Sequence, residues 1–135
     1  MITLAAAQSA IAEILRQTAS NTRKPVIAIV DSHGELIALA RTDGAALTSL
    51  TLAINKAYTA ARAARTSEEL GKKVNDPANK TPLVGFGDPR LTGMGGGVPI
   101  YHGPHIIGAI GISGLTEPED IHLATTAAAQ LSENK

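Results

Sequence analysis

The chain of 135 residues has no cysteine and no tryptophan, and its only aromatic residues are Tyr58, Phe86 and Tyr101. Without cysteine there is no disulfide framework, thiol nucleophile, thiolate zinc site or iron–sulfur cluster. Three aromatics cannot furnish the stacking platform that single-stranded nucleic acid requires. Neither sign of charge is in excess, with 12 basic and 12 acidic side chains. Proteins that work by neutralising phosphates are basic, so nucleic acid is not an expected partner. No apolar run approaches the roughly 18 residues of a membrane span, so no membrane association is expected. Met1–Ala7 lacks a basic segment ahead of an apolar stretch, and no signal peptide is expected. These absences point to the cytoplasm, although a periplasmic or secreted location suits a cysteine-free chain equally well.

What is present is alanine, at 23 positions, together with Ile, Leu and Val. Such a core has thin layers and close backbone approach. The length suits one domain spanning residues 1–135. Residues 3–20 carry a helical stripe (Leu4, Ala7, Ile11, Ile14, Leu15), with Thr3 as its N-cap. Two apolar runs, 26–31 and 35–41, flank Ser32-His33-Gly34 and predict a hairpin. Both faces of the second run look buried. A second helix is predicted over 47–65, with Leu47, Leu50, Ile54, Ala57, Ala61 and Ala64 as its stripe. Thr66 and Glu69 form a capping box for a short helix that Gly71 can close. The proline- and glycine-rich stretch 73–92 is a long connection of the kind that is usually functional or mobile. A second hairpin, 98–101 and 106–113, turns at His102-Gly103-Pro104-His105. Gly108 and Gly111 suggest close approach to its backbone. A short strand near Met94 would make a fifth. Thr116 and Glu119 open the last helix. The order predicts an α+β fold: a mainly antiparallel sheet of about five strands with helices packed on it.

The candidate chemistry is spread along the chain. Gly95, Gly96 and Gly97 either cradle an anion with their N–H groups or make a tight bend or close packing. His102 and His105 bracket a turn and could ligate a metal, as could His33, but no third ligand lies nearby in sequence, and exposed turn histidines are the simpler reading. Lys56 lies among alanines on the second helix. It could bind a carboxylate or act as a base if desolvated, although a solvated helix face is the commoner situation. Asp43 suits a turn and Asp120 the first turn of a helix. With Lys56 they are the candidate catalytic groups. No carboxylate pair at defined spacing argues for acid–base catalysis.

Val30-Asp31-Ser32-His33-Gly34-Glu35-Leu36, Arg41-Thr42-Asp43-Gly44-Ala45 and Asn55-Lys56-Ala57-Tyr58-Thr59-Ala60 resemble successive signatures of the GlcG/HbpS-type family. Gly95-Gly96-Gly97-Val98-Pro99-Ile100 and Ile107-Gly108-Ala109-Ile110-Gly111-Ile112-Ser113-Gly114 resemble its C-terminal half. The resemblance runs nearly end to end. The family comprises haem-binding proteins, glycolate-operon accessory proteins and the C-terminal domain of some cobalamin adenosyltransferases. Resemblance therefore implies a profilin-like three-layer α–β–α domain, homo-oligomers, and haem as a ligand. The His102-Gly103-Pro104-His105 tip departs from the short polar turn of other members, and no axial haem ligand carries over by motif.

Three functions remain open at this point. One is a small-ligand-binding protein for haem or another tetrapyrrole. Tyr58, Phe86 and Tyr101 would have to serve that pocket. Another is an enzyme or catabolic accessory for a small anionic metabolite, held by Arg41, Lys56, Arg90 and the Gly95–Gly97 loop. The third is a non-catalytic stabilising partner of a metabolic enzyme. The scarcity of aromatics tells against a conventional haem pocket.

Overall fold

A computed structural model describes residues 1–133. Its elements are α1 (Leu4–Gln17), β1 (Val26–Asp31), β2 (Leu36–Arg41), α2 (Leu47–Ala63), α3 (Ser67–Asn75), a 3-10 turn (Leu83–Phe86), β3 (Gly97–His102), β4 (His105–Ser113) and α4 (Glu117–Glu133). The sheet has four strands in the order β2-β1-β4-β3, and every neighbouring pair is antiparallel. The fold is α+β, as expected, with helices on both faces. The fifth strand is absent from the described residues. The backbone N–H groups around Met94 donate instead to side chains, that of Met94 to Thr92 Oγ1 and that of Gly95 to Glu117 Oε2, and not to a neighbouring strand.

Strand alternation assigns the two faces. Ile27, Ile29, Ile100, Ile110 and Ile112 pack with Ala7, Ile11 and Ile14 of α1 and Ala124, Ala128 and Leu131 of α4. Val26, Ala28, Val30 and Ala109 face Ala53, Ala57 and Ala60 of α2. The α2 side is thin because glycine lies beneath the helix. A Cβ on Gly111 would overlap the carbonyl oxygen of Ala53 and lie 2.6 Å from the Ala57 nitrogen. Gly97, paired with Gly111 across β3 and β4, would likewise overlap the carbonyl oxygen of Lys56. Two glycines side by side thus let the α2 backbone lie directly on the sheet.

The middle of the predicted α2 stripe faces the core, with Ala57 and Ala61 buried and Leu50 and Ile54 packed against them, but its ends, Leu47 and Ala64, do not. Leu47 is 77% exposed, while Ala53, Ala57 and Ala60 are enclosed. Close backbone contact favours the smallest side chains, so alanines take the seat itself and Leu50 packs at its border. The predicted burial of both faces of β2 also fails. Leu36 and Leu39 are exposed, because β2 is an edge strand and α2 lies over β1, β4 and β3. Gly71 does not close α3, which runs on to Asn75. It lies inside the helix because a Cβ there would overlap the carbonyl oxygen of Gly93. The capping box itself is present, with Glu69 N donating to Thr66 Oγ1 and Thr66 N to Glu69 Oε1, each at 3.0 Å.

Candidate functional site

α2 carries two enclosed polar side chains two residues apart, and they face different surroundings. Lys56 is 1% exposed. Its ammonium donates to the carbonyl oxygen of Ile112 at 2.9 Å and to Asp120 Oδ2 at 3.3 Å. Asp120, 2% exposed in the first turn of α4, also accepts the N–H of Leu115 through Oδ1 at 3.2 Å. Loss of hydration pushes the Lys56 ammonium below its ordinary pKa and the Asp120 carboxyl above its own, and the mutual attraction of the pair opposes both shifts. Lys56 is therefore no solvated helix face. It ties α2 to β4 and α4.

The glycine loop packs on this pair. Gly96 has φ of +127°, and a Cβ there would come 2.9 Å from the Lys56 nitrogen. Gly95 N donates to Glu117 Oε2 at 2.6 Å and Gly97 N to Ser67 Oγ at 2.9 Å. Those two donors are engaged within the chain, so the observed loop is a bend for close packing, and these N–H groups are not free to cradle an anion. Beyond the pair opens a cleft of about 400 Å³. Its lining includes Arg23, Lys24, Ala46, Thr48, Ser49, Leu52, Met94, Ser113 and Glu117, with Lys56 and Asp120 at the floor.

Tyr58 is 2% exposed and is enclosed differently. Its hydroxyl donates to Asp88. Arg90 stacks 3.9 Å from the ring centroid and Arg62 lies 5.0 Å from it. Arg90 also pairs with Asp88 at 3.3 Å, and Arg62 donates to the carbonyl oxygen of His33 at 2.9 Å. Gly34, at φ +88°, lies where a Cβ would meet the Tyr58 ring at 2.8 Å. The β1–β2 turn and the 88–90 segment thus clasp one ring. The hydrogen bond from Tyr58 chiefly holds the Asp88 carboxyl below its usual range, and burial chiefly pushes the Tyr58 phenol above its usual value.

A second cleft, of about 360 Å³, lies at the C-terminal end of α2, between that helix, α3 and the 86–91 segment. Arg62, Arg65 and Lys73 supply cations, Leu70, Leu91 and Phe86 an apolar wall, and Asp88 one carboxylate. Phe86 is 45% exposed.

The structure divides the predicted site. Lys56, Asp120 and the Gly95–Gly97 loop gather on one side of α2, while Tyr58, Phe86 and Arg90 gather on the other. Arg41 is exposed at the end of the edge strand and Asp43 is exposed in the turn before α2; neither lines either cleft. His33, His102 and His105 are exposed. The last two face each other across the β3–β4 turn, and among the described residues no group of three His, Cys, Asp or Glu could hold a metal. Sequence reasoning missed Arg65, Lys73, Leu70, Asp88, Ser49, Ser67 and Glu117 as site residues. The spacing of Arg62 and Arg65 on one helix end was a usable signal for the cationic rim.

These observations define an α+β protein whose central helix separates two small polar clefts. Comparison with known proteins places it: the chain belongs to the HbpS-like family, whose model, described as haem degrading protein HbpS-like, matches residues 2–129. It is 35% identical over 127 residues to an uncharacterized 15.0 kDa protein of the dhaT-dhaS intergenic region of Citrobacter freundii, covering 93% of this chain and 89% of the relative. The crystal structure of Klebsiella pneumoniae ORFY superposes with a TM-score of 0.89 at 30% identity, covering 97% of this chain and 90% of ORFY. That of the PduOC–haem complex superposes with a TM-score of 0.86 at 27% identity, covering 95% and 93%. None of the helices among the described residues is long and apolar enough to cross a membrane.

Proposed function

We propose that this protein binds a small, anionic, partly apolar ligand of the tetrapyrrole type in the cleft beneath Phe86. The observation that carries the reading is the lining of that cleft: three cations, Arg62, Arg65 and Lys73, beside the apolar wall of Leu70, Leu91 and Phe86. Ligand sites combine an apolar wall with a few placed polar groups in this way. The family model and the haem complex of PduOC support haem as the named example.

The donor set tests that example. Haem carries two carboxylates, an apolar macrocycle and an iron. The cations suit the carboxylates and the apolar wall suits a ring edge. No histidine, methionine or tyrosine lines this cleft to hold the iron. The fit is to the periphery of the macrocycle and not to its metal. Arg62 and Arg65 would orient the carboxylates, and Phe86 would shield the ring from water. A homo-oligomer belongs to the same reading, because Leu36 and Leu39 leave apolar surface uncovered on the edge strand.

Absorbance titrations with haem and with iron-free protoporphyrin IX test this. Both should bind saturably and with similar affinity. The double variant Arg65→Ser, Lys73→Ser should weaken both by about tenfold or more, the equivalent of 1.4 kcal/mol. Binding of haem without binding of protoporphyrin IX would place the iron ligand outside this cleft and overturn the reading.

A further inference from the structure

The cleft above the Lys56–Asp120 pair is separate from the tetrapyrrole cleft, and its chemistry differs. It contains the first turn of α2, whose N-cap, Ala46, supplies no side-chain hydrogen bond and whose first turn has no acidic residue. The Ser49 N–H donates to the Ala46 carbonyl oxygen at 3.0 Å, while among the described residues the N–H groups of Leu47 and Thr48 have no such acceptor, and the positive end of the helix dipole is unopposed by its own sequence. α1 and α3, by contrast, are capped by Thr3 and Thr66.

A second observation points to a ligand. Ser49 and Ser113 are 5% and 3% exposed and both line this cleft. The hydrogen bonds of the described residues leave both hydroxyls without a partner. No fully enclosed side-chain oxygen or nitrogen lacks a partner, so these hydroxyls open onto the cleft. Lys56 and Asp120 neutralise each other at the floor, and Arg23 and Lys24 outweigh Glu117 among the remaining lining charges. Glu119, which feels Arg23, is turned onto Thr116. One net positive charge suits a monoanion. Leu52, Met94 and Leu115 give an apolar wall.

We propose that this cleft is a second binding site, for a monocarboxylate with a short apolar tail. The carboxylate lies between the first turn of α2 and Arg23, within reach of the two serine hydroxyls, and the tail lies against Leu52 and Met94. This site stands apart from the tetrapyrrole reading, which is measured by absorbance and can fail or succeed without it.

The test is amide NMR titration with butyrate against butyramide, its neutral counterpart, at matched ionic strength. Butyrate should give saturable shifts at Thr48, Ser49 and Gly114, while butyramide should leave them in place. Arg23→Glu, an exposed substitution that the fold tolerates, should weaken butyrate at least fivefold. Ser49→Val with Ser113→Ala should weaken it while leaving amides of the β1–β2 turn unmoved, which separates loss of the site from loss of the fold. Equal shifts with butyramide, or unsaturable butyrate shifts scattered over exposed lysines and arginines, would overturn the assignment.

Discussion

Lys56 and Tyr58 are neighbours on one helix and equally enclosed, yet they are enclosed by different kinds of structure. Lys56 meets the end of β4, the first turn of α4 and a glycine loop pinned by Ser67 and Glu117. Tyr58 meets the backbone of a hairpin turn at Gly34 and the side chains of Asp88 and Arg90. Around Lys56 the partners are regular elements whose positions the sheet fixes. Around Tyr58 they are a hairpin turn and a connection whose residues are mostly exposed, and such regions open at lower cost. The protein thus has a stiff side and an adaptable side, and the cleft assigned to the larger ligand lies on the adaptable one.

The strongest way to break this contrast is to unpair the stiff side. Lys56→Met should cost about 3–5 kcal/mol in urea unfolding, because Asp120 is left buried without its partner. The double variant Lys56→Met, Asp120→Leu should recover most of that loss, since it removes both charges. Next in size is Gly111→Ala, which puts a methyl group into the α2 backbone and should cost about 3 kcal/mol by the same measurement.

On the adaptable side the effects should be smaller and local. Tyr58→Phe should lower global stability less than either change above, while hydrogen exchange in the 83–91 segment quickens. The pH dependence sharpens the point. Asp88 titrates below its ordinary value, so its contribution is complete above the usual carboxylate range and fades as pH falls through the folded-state pKa. Tyr58 titrates above its ordinary value, so its contribution is complete below about 10 and fades as pH rises through the raised value. The clasp should therefore be firm at neutral pH and loosen at both extremes. In a Tyr101→Phe background, Asp88→Asn should bring the tyrosinate absorbance of Tyr58 to a lower pH.

Local signals made much of the fold legible. Thr3, the Thr66–Glu69 box and the Thr116–Glu119 pair mark helix starts, and Gly34 and Gly103 mark the two hairpin turns. Gly111 correctly announced a close approach, but which backbone comes near is a tertiary fact. Leu47 of α2 and Leu36 and Leu39 of β2 misled, because periodicity cannot tell an edge strand from a central one or foresee where a helix seated on glycine begins to lift from the sheet. Lys56 and Asp120 were both singled out, but 64 positions separate them and no local rule pairs them. For Gly95 and Gly97, composition could not distinguish free donors from donors already bonded to Glu117 and Ser67.

If α2 separates two independent sites, each ligand binds without regard to the other. The direct test is to saturate the protein with protoporphyrin IX and then titrate butyrate, following the amides of Thr48 and Gly114. Two sites predict the same butyrate affinity with and without the tetrapyrrole. Displacement of the tetrapyrrole by butyrate, or loss of the butyrate shifts once the tetrapyrrole is bound, would contradict it.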